Sequence, residues 1–264
     1  MLNQNSNIKA VPTNIVTGFL GAGKTTAIIH LSQHKQKNER WAILVNEFGE
    51  IGIDGSLMQG QYTEQQGVFM REVPGGCMCC VAGLPMQIAL NMLLAKSKPD
   101  RLLIEPTGLG HPKEVLEILS NEHYQDVLTI QKIITLIDAR QLKDERYTSN
   151  ETFNQQIAIA DIVVGNKQDL YADDDKQYLH DYLMDHFESN KQLEFTEQGQ
   201  LDPSLLPGNS KAEAGHTHHH HSNQSILASE QPLPSTGYLK AENQGEEFSS
   251  IGWRFDKQHQ FNRS

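Results

Sequence analysis

Over residues 13–36 a β-branched run, TNIVT, meets a glycine-rich turn, GFLGAGKTT, and passes at once into a segment with Ala27, Ile28 and Leu31 on one helical face. A strand that turns this sharply into a helix needs parallel neighbours for the strand and a sheet face for the helix. WAILV, Trp41–Val45, follows as a continuously apolar run, the pattern of a parallel strand covered on both faces.

The alternation continues. Pro85 stands where a helix begins, and LPMQIALNMLLA surrounds it; RLLIE, Arg101–Glu105, reads as a strand. Pro112 opens an amphipathic helix with Val115, Leu116 and Leu119 inward. KIITLID (132–138) and DIVVGNK (161–167) read as strands around a helix near 153–160, and Leu179, Tyr182, Leu183 and Phe187 mark another helix. Repeated strand–helix units predict a three-layer α/β domain with a mainly parallel sheet, over residues 1–207. Residues 208–247 are polar, with Gly, Ser, Pro and a histidine tract, and read as a flexible linker. FSSIGWRFD then reads as one strand within residues 248–264, too little for a domain of its own.

The 264 residues are 38% hydrophobic and 21% charged, with a net charge of −11. An acidic chain without a basic cluster is a poor partner for nucleic acid or anionic lipid. No apolar run approaches the roughly 18 residues that span a bilayer. The N-terminus lacks the apolar core of a signal peptide, so a cytoplasmic location is expected.

Residues 18–25, GFLGAGKT, match G-x-x-x-x-G-K-[ST], the phosphate-binding P-loop, in the strand-to-helix context that gives the pattern meaning. The backbone of Gly18, Phe19, Leu20, Gly21, Ala22 and Gly23 offers N–H groups to phosphate oxygens, helped by the helix N-terminus. Lys24 is expected to reach the β- and γ-phosphates and Thr25 to ligate Mg²⁺, with Thr26 directly after. Glu105 ends an apolar strand where a Walker-B acid sits, and Gly108 follows as a candidate γ-phosphate contact. NKQD, residues 166–169, supplies a guanine reader. Asp169 accepts from both donors on that base edge, Asn166 pairs with the opposite edge, and the Lys167 stem covers the ring. Adenine lacks the paired donors and would leave a carboxylate unmatched. Glu47, in the acidic loop NEFGEIGID, is a candidate for Mg²⁺ or a second metal, and equally a solvated loop acid.

All three cysteines, Cys77, Cys79 and Cys80, lie in PGGCMCC. An odd number in one loop is no disulfide framework; soft-metal binding, redox pairing and inert burial remain open. Three thiolates suit Zn²⁺ or Cu⁺ and leave a fourth tetrahedral position, for which Glu47, Glu50, Glu72 and His111 are candidates. HTHHHH, residues 216–221, is a loose metal-capture tract or a solvated linker.

Taken in order, GFLGAGKTT, VNEFGEIGID, PGGCMCC, LLIEPTGLGHP and NKQD resemble the CobW-type GTPases of the SIMIBI class. The resemblance is dense from Asn14 to Asp169 and sparse beyond Pro207. It implies GTP hydrolysis with Mg²⁺, zinc on Cys77, Cys79 and Cys80, and zinc delivery to client apo-metalloproteins gated by GTP and GDP. It also implies that residues 248–264 begin a C-terminal α/β domain whose remainder is absent. A metal buffer or sensor without productive hydrolysis, a cobalt or nickel chaperone, and a small-molecule kinase are the alternative functions.

Overall fold

The computed structural model describes residues 8–46, 64–73, 83–187, 191–212, 238–244 and 249–255. The chain divides into two compact units, Met1–Gly215 and His216–Ser264.

The first unit is built on strands β1 (Val11–Gly18), β2 (Trp41–Val45), β3 (Val68–Glu72), β4 (Arg101–Glu105), β5 (Leu128–Ile130), β6 (Ile134–Ile137), β7 (Ile162–Gly165) and β8 (Gln192–Phe195). Seven run side by side in the order β3-β2-β4-β1-β6-β7-β8, with β5 also paired to β1. Every pairing in this sheet is parallel. The helices are α1 (Lys24–Gln33), α2 (Leu84–Ser97), α3 (Pro112–Leu119), α4 (Glu145–Thr148), α5 (Glu151–Ala158) and α6 (Asp175–His186).

Side-chain alternation along the strands builds the two sides of the sheet. Ala42 and Leu44 of β2, with Leu102 and Ile104 of β4, pack with Leu90 and Leu93 of α2 and Val115, Leu116 and Leu119 of α3. Their neighbours Ile43, Val45 and Leu103 belong to the other cluster, with Ile28 and Leu31 of α1. A third cluster joins Phe153 and Ile157 of α5 to Leu179 and Leu183 of α6. Each fully buried aliphatic or aromatic side chain contributes about 1.5–3 kcal/mol by leaving water. Strands covered on both faces explain why their sequences carry no polar alternation.

β1 lies between β4 and β6, so the chain builds outward from it in both directions. The carboxyl end of such a central strand opens a crevice where loops from both halves meet, and ligands of parallel α/β sheets bind there.

Two expectations change. Residues 208–212, expected as linker, are tied into the first unit. Gln131 and Asn209 form an antiparallel bridge, and Ser210 Oγ and Lys211 N donate to the Asp161 carboxylate at 2.7 and 2.8 Å. In the second unit, Tyr238–Gln244, also expected as linker, is strand β9, pairing antiparallel with β10 (Ser249–Phe255). β10 is thus the second strand of a hairpin. β9 was hidden because one of its period-two sets is Lys240, Glu242 and Gln244, which carries no hydrophobic signal.

Candidate nucleotide site

The P-loop leaves β1 at Gly18, whose φ is +145°. A Cβ there would sit 2.4 Å from the Leu136 carbonyl oxygen of β6, so no side chain fits. Gly23, at φ +95°, caps the start of α1, and a Cβ on it would meet Asn166 Nδ2 at 2.4 Å. Both glycines hold the loop where larger residues meet backbone strain and a collision.

The Lys24 side chain is 4% exposed, and its Nζ donates to the Phe19 carbonyl at 3.3 Å, folding the ammonium back over its own loop. Phe19 stands edge-on to Tyr147 and Phe153, with centroids 5.5 and 5.9 Å away, which anchors the loop from below. Thr25 Oγ1 donates to Glu105 Oε1 at 2.7 Å, joining residues 80 positions apart. Gly108 is buried against the loop; a Cβ there would lie 2.9 Å from Leu20 N.

The NKQD segment is joined directly to this loop. Asn166 is 2% exposed; its Nδ2 donates to the Ala22 carbonyl at 2.8 Å, and its Oδ1 accepts from Gly199 N at 3.1 Å. The Asn166 amide thus tethers the P-loop to the loop after β8 in this structure, in addition to the base-pairing role expected from sequence. Lys167 has φ +62° and brings its ammonium 3.3 Å from Asp138 Oδ2. Asp169 is exposed at the rim.

Asp138, at the end of β6, is 2% exposed and receives both Nε and an Nη of Arg140 at 2.9 and 2.7 Å. Burial pushes its carboxyl up, but the Arg140 fork and the Lys167 ammonium outweigh this and hold it below the usual range. Tyr171 donates its hydroxyl to the Asn166 carbonyl at 2.6 Å. Burial pushes this phenol up to about 12, so it remains a donor at neutral pH.

The sequence matches the CobW/HypB/UreG nucleotide-binding domain over residues 12–194. The chain belongs to this family. It is 45% identical over 250 residues to the zinc chaperone YeiR of Escherichia coli K12, covering 92% of this chain and 74% of YeiR. It is 29% identical to the zinc chaperone CobW of Pseudomonas aeruginosa, covering 80% of this chain and 64% of that protein. Its fold resembles the Zn(II)-bound YjiA GTPase from E. coli, with a TM-score of 0.53 and 25% identity, over 75% of this chain and 61% of YjiA. The chain spans roughly three fifths to three quarters of these relatives' lengths.

In this CobW/HypB/UreG domain the expected metal residues divide into two groups. Cys77, Cys79, Cys80, Glu47, Glu50 and the histidines of 216–221 lie outside the described residues. Glu72 ends β3, paired with Val45 at the end of β2, which in turn pairs with Glu105. The chain therefore enters residues 74–82 two strands from the Thr25–Glu105 contact. His111 is exposed at the N-cap of α3. Among the described residues no group of three or more His, Cys, Asp or Glu side chains is disposed to hold a metal ion. None of their helices is long and apolar enough to cross a membrane.

Three parts of the site escaped the sequence reading. Asp138 ends an apolar strand as Glu105 does, a signal that was present. Residues 196–199 follow β8 and reach both Asn166 and the start of α1, where a Cβ on Gly199 would meet Ala27 N at 2.7 Å. Gln168 N also donates to the Thr196 carbonyl at 3.0 Å, so this turn and NKQD form one surface. Gln156, inside α5, touches the loop after β4 and carried no motif.

Proposed function

We propose that this chain binds and hydrolyses GTP with Mg²⁺ at the β1 crevice, and that nucleotide state gates transfer of zinc from Cys77, Cys79 and Cys80 to client apo-metalloproteins. The observation that carries the reading is the contact between the P-loop and the base motif: Asn166 is bonded to Ala22, so a phosphate reader and a guanine reader share one cleft. The zinc chaperone relatives and the Zn(II)-bound YjiA structure support a zinc cargo.

The residues fit these tasks. The Thr25 hydroxyl and Glu105 carboxylate are hard oxygen donors 2.7 Å apart, the set that Mg²⁺ prefers. Mg²⁺ held there supplies neutralisation of phosphate charge. Lys24 exchanges the Phe19 carbonyl for phosphate oxygens, and the loop amides stabilise charge as the γ-phosphate leaves. Lys167, steadied by Asp138, presents its stem to the base, and Asp169 accepts from the guanine edge. Three thiolates bind Zn²⁺ through soft donors and leave a position open for a client ligand.

Phosphate release from GTP tests the enzyme. Wild type is expected to turn over slowly, and Lys24→Ala to lose turnover; Lys24-independent release sinks the reading. Asp169→Ala is expected to erase a preference of GTP over ATP of at least about tenfold. For the cargo, anaerobic titration with Zn²⁺, Co²⁺ and Ni²⁺ is expected to give thiolate-dependent binding whose affinity differs between GTP analogue and GDP; equal affinities would remove the gating.

A further inference from the structure

Gln156 is the most deeply buried polar side chain of α5, 1% exposed, in the middle of a helix that otherwise contributes Phe153 and Ile157 to the core. Its Nε2 points at two backbone carbonyls of the loop after β4: Gly108 O at 3.0 Å and, more distantly, Gly110 O at 3.5 Å. Two acceptors at one end of the amide require the NH₂ group there. Its Oε1 is buried with no hydrogen-bond partner among the described residues, a cost an apolar residue would avoid. Its own carbonyl accepts from Thr135 Oγ1 at 2.7 Å, so this helical turn is itself fastened to β6.

The acceptor it chooses matters. Gly108 packs so closely on the P-loop that an added Cβ would lie 2.9 Å from both Leu20 N and Leu20 Cδ2. Gly110 N donates back to the Thr107 carbonyl at 3.0 Å, closing the turn, and His111 then caps α3. A buried donor fixed to the sheet thus holds the 108–110 turn against the P-loop.

We propose that Gln156 is a positioning residue that makes the site sensitive to the γ-phosphate. It fixes the 108–110 turn against the P-loop, so that Gly108 meets the third phosphate without first being ordered. The base and the first two phosphates are held by other residues, so the effect falls on GTP and spares GDP. This rests on the guanine-nucleotide reading above and adds to it the group that distinguishes its two states.

The test compares the full-length wild type with Gln156→Met, which keeps length without the donor, and Gln156→Glu, which places a carboxylate against the carbonyls. Affinities for GDP and a non-hydrolysable GTP analogue are measured by fluorescent-nucleotide displacement, with thermal unfolding beside them. Gln156→Met is expected to bind GDP within about twofold of wild type and the GTP analogue about tenfold more weakly, the scale of one lost buried hydrogen bond. Gln156→Glu is expected to lose at least as much and to recover partly as acid restores a donor. Equal losses for both nucleotides, or an unchanged ratio, overturn the proposal while leaving the GTPase reading standing. A wild type that binds neither nucleotide removes both. Should Gln156→Met fail to fold, Gln156→Glu and the milder Gln156→Asn carry the same ratio test.

Discussion

Asn166 joins the P-loop to the turn after β8 at the scale of one side chain. Replacing it with Ala removes its bonds to Ala22 and Gly199 and strands a buried carbonyl and a buried N–H. The expected cost is about 2–4 kcal/mol in unfolding free energy, with nucleotide affinity lost as well. A variant that loses affinity at unchanged stability would show that the tether has no structural value. Gly23→Ala attacks the same contact from the other side, through a positive φ and a collision with Asn166 Nδ2. Asp138 gives a pH prediction. Its folded pKa lies below the ordinary value of 3.8, so its stabilisation is complete above that value and is lost as pH falls through the folded one. The stability gap between wild type and Asp138→Asn is therefore expected to hold constant from about pH 7 to 5 and to close below about pH 4. A gap that widens in acid would contradict the assignment.

At the scale of elements, α5 supports the P-loop through Phe153 and the loop after β4 through Gln156. Phe153→Ala is expected to cost about 3–5 kcal/mol by cavity formation and to weaken nucleotide binding through Phe19. Chemical denaturation and nucleotide titration on one preparation separate the two effects. Elements of this kind mark where the sequence was legible. Trp41–Val45 and Arg101–Glu105 occupy the strands expected of them, because full burial leaves an unbroken apolar run. The α1 helix stops at Gln33 instead of 36, since nothing in HKQK marks the end. β3, β5 and β8 went unread: each has five residues or fewer and mixes polar with apolar positions. The P-loop and NKQD stand out in the sequence because phosphate and base chemistry demand particular residues at fixed spacing. Their mutual contact was not, since it spans 144 positions and depends on β1 and β7 being placed by the sheet.

For the molecule as a whole, linkage demands reciprocity. If GTP in place of GDP changes zinc affinity by some factor, zinc must change the preference for GTP over GDP by the same factor. Two titrations, each with the other ligand fixed, check this; unequal factors would mean that the two ligands are not meeting on one protein state. If zinc binds within residues 74–82 as proposed, the sheet sets the distance over which such coupling would act. The exits of β3 and β4 are separated by β2 alone, and the registers Val45↔Glu72 and Val45↔Glu105 lock all three ends level. Two strand spacings amount to about 10 Å. At an effective dielectric near 20, a unit charge gained or lost across about 10 Å is worth about 1.7 kcal/mol, between about tenfold and twentyfold in an equilibrium constant. A γ-phosphate bound near Glu105 and then lost, as the proposed function has it, would thus change the field at the β3 exit before any atom moved. Coupling carried this way has a signature that a mechanical linkage lacks: it should shrink steadily as added salt shortens the screening length from about 10 Å at 0.1 M to about 3 Å at 1 M.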